Sequence, residues 1–366
     1  MAIASVIPQD NANGLDRTEN PPRRSPPMGS IETSTSWLDE LQLHHQTSNQ
    51  RLVYEQMTSL ENREMLLQVV KDDKDRGWEA ILDRMSVLLC AKNIHNIKGR
   101  VLLQTSPRAA YDVDRVVTQA RNYAREFDKV GISNDRFCIK IPCTAPGLIA
   151  CRILRDEGIR TLGTSLFCLA QAIAASQAGC LSISPYYNLP WYHNNLKLWP
   201  NVKDPALDHP MSSRLVQILD AYRRMRNNTG REQPMLKPAS FKSAREAMAM
   251  AELGCHNATI PEDIIQQLSV LDFDINSPAG GIAYKHTGTP SPRLAHLHDV
   301  DPLSGPNWNG RLASTEIDYL ANDGAALKKA IADDAVTERG LKEALDAFEA
   351  NELRCKVAIE EVMMQV

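Results

Sequence analysis

The sequence predicts a (β/α)8 TIM-type barrel, α/β in class, preceded by a disordered leader and followed by C-terminal helices. Three observations lead there. Seven short β-rich runs alternate with amphipathic helical runs between Leu41 and Ile260, the pattern of parallel βα units. No glycine-rich phosphate loop follows the first of them, which argues against an open dinucleotide-binding sheet. Almost every run also ends in a polar residue, and chemistry in such barrels gathers at the C-terminal strand ends.

Residues 1–33 are rich in Pro, Asn, Ser and Arg and show no periodicity, so a leader is expected over 1–36. The barrel is expected over 37–271. Its strands are placed at Leu41–Ser48, Arg100–Thr105, Phe137–Cys143, Arg160–Thr164, Cys180–Pro185, Pro234–Ser240 and His256–Ile260. Helical patterns lie between them at Arg51–Val70, Ile81–Leu89, Val113–Phe127, Gly147–Asp156, Phe167–Ala178, Ser213–Met225 and Ser243–Leu253. Gly158, Gly179, Gly230 and Gly254 follow four of these as stop signals. Trp37–Leu41 reads as a helix or edge segment, which leaves the first barrel strand degenerate or missing. Residues 272–312 form a loop-rich insertion. Ser314–Gly324 and Ala335–Met364 are expected to be helical within a C-terminal unit, 313–366, packed on the barrel. The last helix suits either a cover for the barrel mouth or an oligomer contact, so a homo-oligomer is left open.

Composition narrows the function classes. The chain of 366 residues is 43% hydrophobic and 23% charged with a net charge of −4, and no basic stripe suggests nucleic acid. No apolar run approaches the ~20 residues of a membrane helix, and no signal peptide opens the chain. Eight cysteines without CxxC spacing read as reduced core residues of a cytoplasmic protein. No metal or cofactor is expected. A metal-dependent aldolase would need a His/Asp/Glu cluster at the strand ends. Adjacent His44 and His45 instead point to opposite sides of a strand, and His256 opens the last one.

Lys140 sits in the middle of the apolar run Phe137–Cys143. Burial disfavours an ammonium and lowers its pKa, which yields a free amine able to attack a carbonyl. The bland alternative is a lysine whose stem is buried and whose head reaches water. The other strand ends supply Asn49, Gln104, Thr164, Ser184 with Tyr186, and Ser240 with Lys242. Singly, Asn49, Thr164 or Ser240 could be a helix N-cap, Gln104 could satisfy a loop, and Tyr186 could be a core aromatic with a wet tip. Together they need a common explanation.

Several segments carry a resemblance. They are Ile139-Lys-Ile-Pro-Cys-Thr-Ala-Pro-Gly-Leu148, Thr161-Leu-Gly-Thr164 with Ala170-Gln-Ala172, and Ser184-Pro-Tyr-Tyr-Asn188. Thr47-Ser-Asn49, Ala239-Ser-Phe-Lys242, Gly254-Cys255 and Thr259-Ile-Pro261 complete the set. Over residues 47–270 the chain resembles the transaldolase family, and at its strand ends the fructose-6-phosphate aldolase branch. The resemblance implies that Lys140 forms a Schiff base with a ketose or ketone. It implies a catalytic set of Gln104, Thr164 and Tyr186 around a water near the lysine, in which the tyrosine takes over proton transfer if its pKa is lowered. Asn49 and Ser184 would bind donor hydroxyls or the lysine.

Two family features have no counterpart. The aspartate that ends strand one is missing, since Asp39 lies only ten residues before Asn49, short of the dozen or so that a parallel crossover needs. The sixth-strand arginine that grips a substrate phosphate is replaced by Leu189, leaving Lys242 and Arg245 near Ser240 to hold an anion. The expected function is therefore Schiff-base C–C bond formation or cleavage on a small sugar or ketone. It would proceed by transfer of a dihydroxyacetone unit or by direct aldol reaction. The alternative is a non-catalytic relative serving as a binding or regulatory subunit.

Overall fold

The computed structural model describes residues 4–6, 44–271, 289–305 and 308–366. Its strands are β1 (Ala4–Val6), β2 (His45–Thr47), β3 (Val101–Gln104), β4 (Phe137–Pro142), β5 (Thr161–Leu166), β6 (Ser182–Pro185), β7 (Met235–Leu236) and β8 (Ala258–Ile260). They form one sheet in the order β7-β6-β5-β4-β3-β2-β1-β8. Hydrogen bonds from Asn257 N to Leu236 O (3.0 Å) and from Thr259 N to Pro238 O (2.8 Å) join the two outer strands and close the barrel.

Strands β2 to β7 pair in parallel, each with the next. Their apolar composition follows from being covered on both faces. All six residues of β4 are buried, and its only ionisable side chains are Lys140 and the Cys138 thiol. The first strand is degenerate rather than missing. Three residues from within the expected leader, Ala4–Val6, fill its place. It runs antiparallel to both neighbours, pairing Ser5 with His45 and with Thr259. Trp37–Leu41 and the remainder of the expected leader lie outside the described residues.

The helices are α1 (Gln50–Met57), α2 (Arg63–Asp73), α3 (Trp78–Asn93), α4 (Val113–Lys129), α5 (Ala145–Asp156), α6 (Leu169–Ala178), α7 (Pro190–Asn194), α8 (Pro205–Asp208), α9 (Pro210–Thr229), α10 (Ala244–Glu252), α11 (Glu262–Ser269), α12 (Ala321–Asp333) and α13 (Ala335–Met363). Helix α4 shows how the outer layer forms. The Asp112 side chain caps it by accepting from Arg115 N, and Val116, Val117, Ala120, Tyr123 and Phe127 bury one stripe. Phe127 then stacks on Phe137 of β4 with ring centroids 4.5 Å apart. The continuous helix expected over Arg51–Val70 is two helices, broken where the Asn62 side chain donates to Gln56 O (2.8 Å). The helix expected over Ser314–Gly324 is also absent as such. Asn322, Asp323 and Gly324 all have left-handed φ, and the regular helix follows them.

Helix α13 lies across the C-terminal mouth. It touches the segments that leave four strands: Cys355 Sγ is 3.9 Å from Gln50 O after β2, and Glu352 accepts from Ser106 Oγ (2.9 Å) after β3. Leu341, Ala344 and Leu345 pack with Ala110, with Phe167 after β5 and with Leu189 after β6. Gly340 lets them approach closely, since a Cβ there would lie 3.1 Å from the Phe167 ring. Buried Arg214 of α9 anchors the start of α13. Its guanidinium pairs with Asp334 (2.8 Å) and Asp301 (3.1 Å) and donates to Phe167 O (2.8 Å) and Thr337 Oγ1 (3.2 Å).

Candidate active site

Strand register sets the interior face. Gln104 pairs with Lys140 and Lys140 with Leu162, and parallel partners project to the same side. On that face Leu102, Cys138 and Leu162 form an apolar layer beneath Gln104 and Lys140. Lys140 is therefore an amine at the top of an apolar plug, only 6% exposed. Burial alone lowers its pKa from 10.5 to about 8.

The β3 end is held by amides. Gln104 Nε2 donates to Gln50 Oε1 (2.9 Å), and Gln50 Nε2 donates to Thr105 O (2.9 Å). That leaves Gln104 Oε1 buried without a hydrogen-bond partner among the described residues. Gln50 went unnoticed in the sequence, where it is simply the first residue of a helix.

At the β5 end the pairing with β6 shifts register between Gly163 and Leu166, and Ser165 takes a left-handed φ of 51°. A non-glycine residue there is strained and must be held by its surroundings. Gln171 of α6 does this. Its Oε1 accepts from Phe167 N (2.8 Å) and its Nε2 donates to Cys143 O (2.9 Å) and Ser165 O (3.3 Å), tying β4 to β5. The Ala170-Gln-Ala172 segment thus has a physical reason. The Tyr186 phenol neighbours the Thr164 and Ser165 hydroxyls, which ease its ionisation. Neither hydroxyl has a hydrogen-bond partner of normal geometry among the described residues. Burial outweighs them and raises the Tyr186 pKa, so the expected lowering does not occur. Its ring also packs edge-on against Phe167, with centroids 5.3 Å apart.

The remaining residues separate. Asn49 caps α1 by accepting from Leu52 N (3.1 Å), while its amide NH2 donates to nothing among the described residues. Ser184 is buried on β6. Ser240 has φ 72° and is locked to Asn188: its Oγ donates to Asn188 O (2.8 Å), and its own carbonyl accepts from Asn188 Nδ2 (2.9 Å). His193 Nε2 lies 2.6 Å from Ser240 Oγ, a contact between positions far apart in the chain that no local motif announces. Lys242 Nζ lies 5.5 Å from the Trp199 ring centroid. Arg245 projects from the exposed face of α10 and makes no ion pair among the described residues. Leu189 is 1% exposed inside the α13 cluster, so an arginine could not be accommodated there unchanged. A cavity of about 410 Å3 lies elsewhere, outside the barrel wall between β2, α1 and α3, and does not reach Lys140.

Two comparisons bear on this geometry. The model of the family described as transaldolase/fructose-6-phosphate aldolase matches residues 28–355. A protein named transaldolase from Prochlorococcus marinus (strain MIT 9211) is 32% identical over 211 residues, covering 57% of this chain and 59% of that relative's length. The family match takes in every described strand except β1 and all the strand-end residues above. The chain belongs to the transaldolase/fructose-6-phosphate aldolase family.

Proposed function

We propose that the protein is a Schiff-base enzyme that transfers or releases a dihydroxyacetone-type unit, with Lys140 as nucleophile. The observation that carries this reading is Lys140 itself, an interior amine with a pKa of about 8 that sits on an apolar layer beside the polar strand ends. Its neutral Nζ adds to the ketone carbon, and loss of water gives an imine. The protonated imine accepts the electron pair of the adjacent C–C bond as it breaks, while the hydroxyl on the departing carbon gives its proton to water; an aldehyde leaves and an enamine remains. An acceptor aldehyde or a proton then takes that pair.

Tyr186, kept protonated by burial, is the acid that delivers a proton to the hydroxyl or alkoxide formed beside the imine. The orphaned Gln104 Oε1 and Thr164 Oγ1 suit donor hydroxyls, and Asn49 and Ser184 complete that set. Lys242 and Ser240, with Arg245 beyond them, would serve an anionic end, a weaker grip than a guanidinium beside Asn188 would give. Residues 37–271 would form the catalytic barrel with Ala4–Val6 contributed from the leader. Residues 272–312 would be an insertion, and 313–366 the helical cover. A cytoplasmic setting suits eight buried, unpaired thiols. No described helix is long and apolar enough to cross a membrane.

The test is borohydride reduction in the presence of dihydroxyacetone or fructose 6-phosphate, followed by peptide mass spectrometry. A reduced adduct on Lys140, absent from Lys140→Ala, is the expected result. Folded protein that traps neither donor would instead favour the non-catalytic binding subunit.

A further inference from the structure

The ends of β6 and β7 hold a hydrogen-bond network whose protons can be assigned. Tyr186 pairs in parallel with Ala239, and Asn188 N donates to Ser240 O (3.2 Å), so Ser240 leaves β7 beside the turn into α7. His193 of α7 lies against it, with Nε2 2.6 Å from Ser240 Oγ. A hydroxyl has one proton, and Ser240 gives its proton to Asn188 O (2.8 Å). Ser240 Oγ is therefore an acceptor toward His193, and His193 Nε2 carries the ring hydrogen. Desolvation, with the Lys242 charge next, holds the His193 pKa below its ordinary 6.5, so the ring is predominantly neutral at pH 7. Its Nδ1 then presents a lone pair, and among the described residues nothing donates to it. The residue is exposed, open to a ligand.

An anion finds little here. Asn188 uses both protons of its amide, on Ser240 O (2.9 Å) and on Glu246 Oε2 (2.7 Å). Glu246 is buried and also accepts from Lys242 N (2.7 Å) and Trp199 Nε1 (2.7 Å), so a carboxylate held by neutral donors stands directly behind this edge. Lys242 offers an ammonium, 5.5 Å from the Trp199 ring centroid. A phosphate is gripped well by several charge-assisted donors together. At this edge it would meet one ammonium, a histidine lone pair and the field of a buried carboxylate, and taking the Ser240 proton would break the bond to Asn188. A sugar hydroxyl carries its own proton and can donate it to Nδ1.

We propose that the substrate is an unphosphorylated sugar whose far end is a neutral hydroxyl, and that His193 selects it by accepting that O–H at Nδ1. The inference rests on the Schiff-base reading and adds the substrate class to it.

Recognition of this end is measured apart from the imine with polyols that have no carbonyl. D-glucitol and glucitol 6-phosphate are titrated into the full-length protein at neutral pH by ligand-observed NMR, and borohydride trapping of dihydroxyacetone on Lys140 is run alongside. Glucitol should bind about fivefold or more tightly than its phosphate, the scale of one hydrogen bond gained and one repulsive contact avoided. His193→Phe should remove that preference by weakening glucitol alone, and His193→Lys should reverse it. The proposal is overturned by wild-type protein that binds the phosphate as tightly as glucitol or more so, by wild-type protein that binds neither, or by a preference that survives His193→Phe. Any of these with dihydroxyacetone still trapped on Lys140 leaves the Schiff-base reading standing. A Lys140 that traps nothing while the preference for glucitol holds faults that reading alone.

Discussion

Replacing Lys140 by methionine should make the protein more stable while removing its nucleophile. Burial moves the amine from its ordinary 10.5 to about 8, equivalent to about 3 kcal/mol of preference for the neutral form. Below pH 8 both folded and unfolded chains hold the proton, and the folded state bears that whole cost. Between pH 8 and 10.5 the folded protein has lost the proton and the unfolded chain keeps it. Unfolding then takes up a proton, and stability rises with pH. Lys140→Met abolishes both the cost and its pH dependence, and methionine fills a similar volume. Urea denaturation should therefore show the variant more stable by up to about 3 kcal/mol at pH 7, with the gap closing by pH 10.5. Lys237 titrates in the same window but is common to both proteins, so it cancels in the difference. A variant no more stable than wild type at pH 7, or a gap that does not change with pH, would refute the account of Lys140 as a desolvated amine.

Three further outcomes are expected. Tyr186→Phe should leave borohydride trapping on Lys140 intact and slow turnover by about 100-fold or more, the scale of losing a general acid; single-turnover kinetics separate the two steps. Leu189→Arg should not create a phosphate grip, because its site is closed by Phe167, Leu341 and Leu345. Burying an unpaired guanidinium should instead cost several kcal/mol in denaturation, with no gain in affinity for phosphorylated over unphosphorylated substrate. Arg214→Met should leave Asp301 and Asp334 without their cation, cost about 3–5 kcal/mol, and speed amide exchange in the first turns of α13.

The parallel part of the barrel was legible because its strands are short, apolar and spaced by helices with glycine stops. The candidate site was legible because Lys140 interrupts one of those apolar runs, and Gln104 and Thr164 are polar residues late in two others. What failed to show in the sequence depends on distant partners. Ala4-Ser-Val6 belongs to a short apolar run, residues 1–7, ahead of a polar, proline-rich stretch, too brief to stand out as a strand without its partners at His45 and Thr259. The break after Met57 carries no proline or glycine and leaves Leu60 87% exposed, against its local preference. The Ser240–His193 contact and the Gln50–Gln104 amide chain join residues 47 and 54 positions apart. The raised Tyr186 pKa reflects its burial, which no motif encodes.

The reversed first strand also determines how the barrel must assemble. Ala4 pairs with Ile260, 256 positions further along the chain, whereas each parallel strand from β3 to β6 meets a partner within the next few dozen residues. Contacts of such span bear the largest loop-closure entropy and form late. The parallel arc from β2 to β8 can thus collapse as an open trough during synthesis, with the segment made first inserting last. Three residues are then the whole difference between an open trough with two raw edges and a sealed cylinder, so the slowest folding phase should report their arrival.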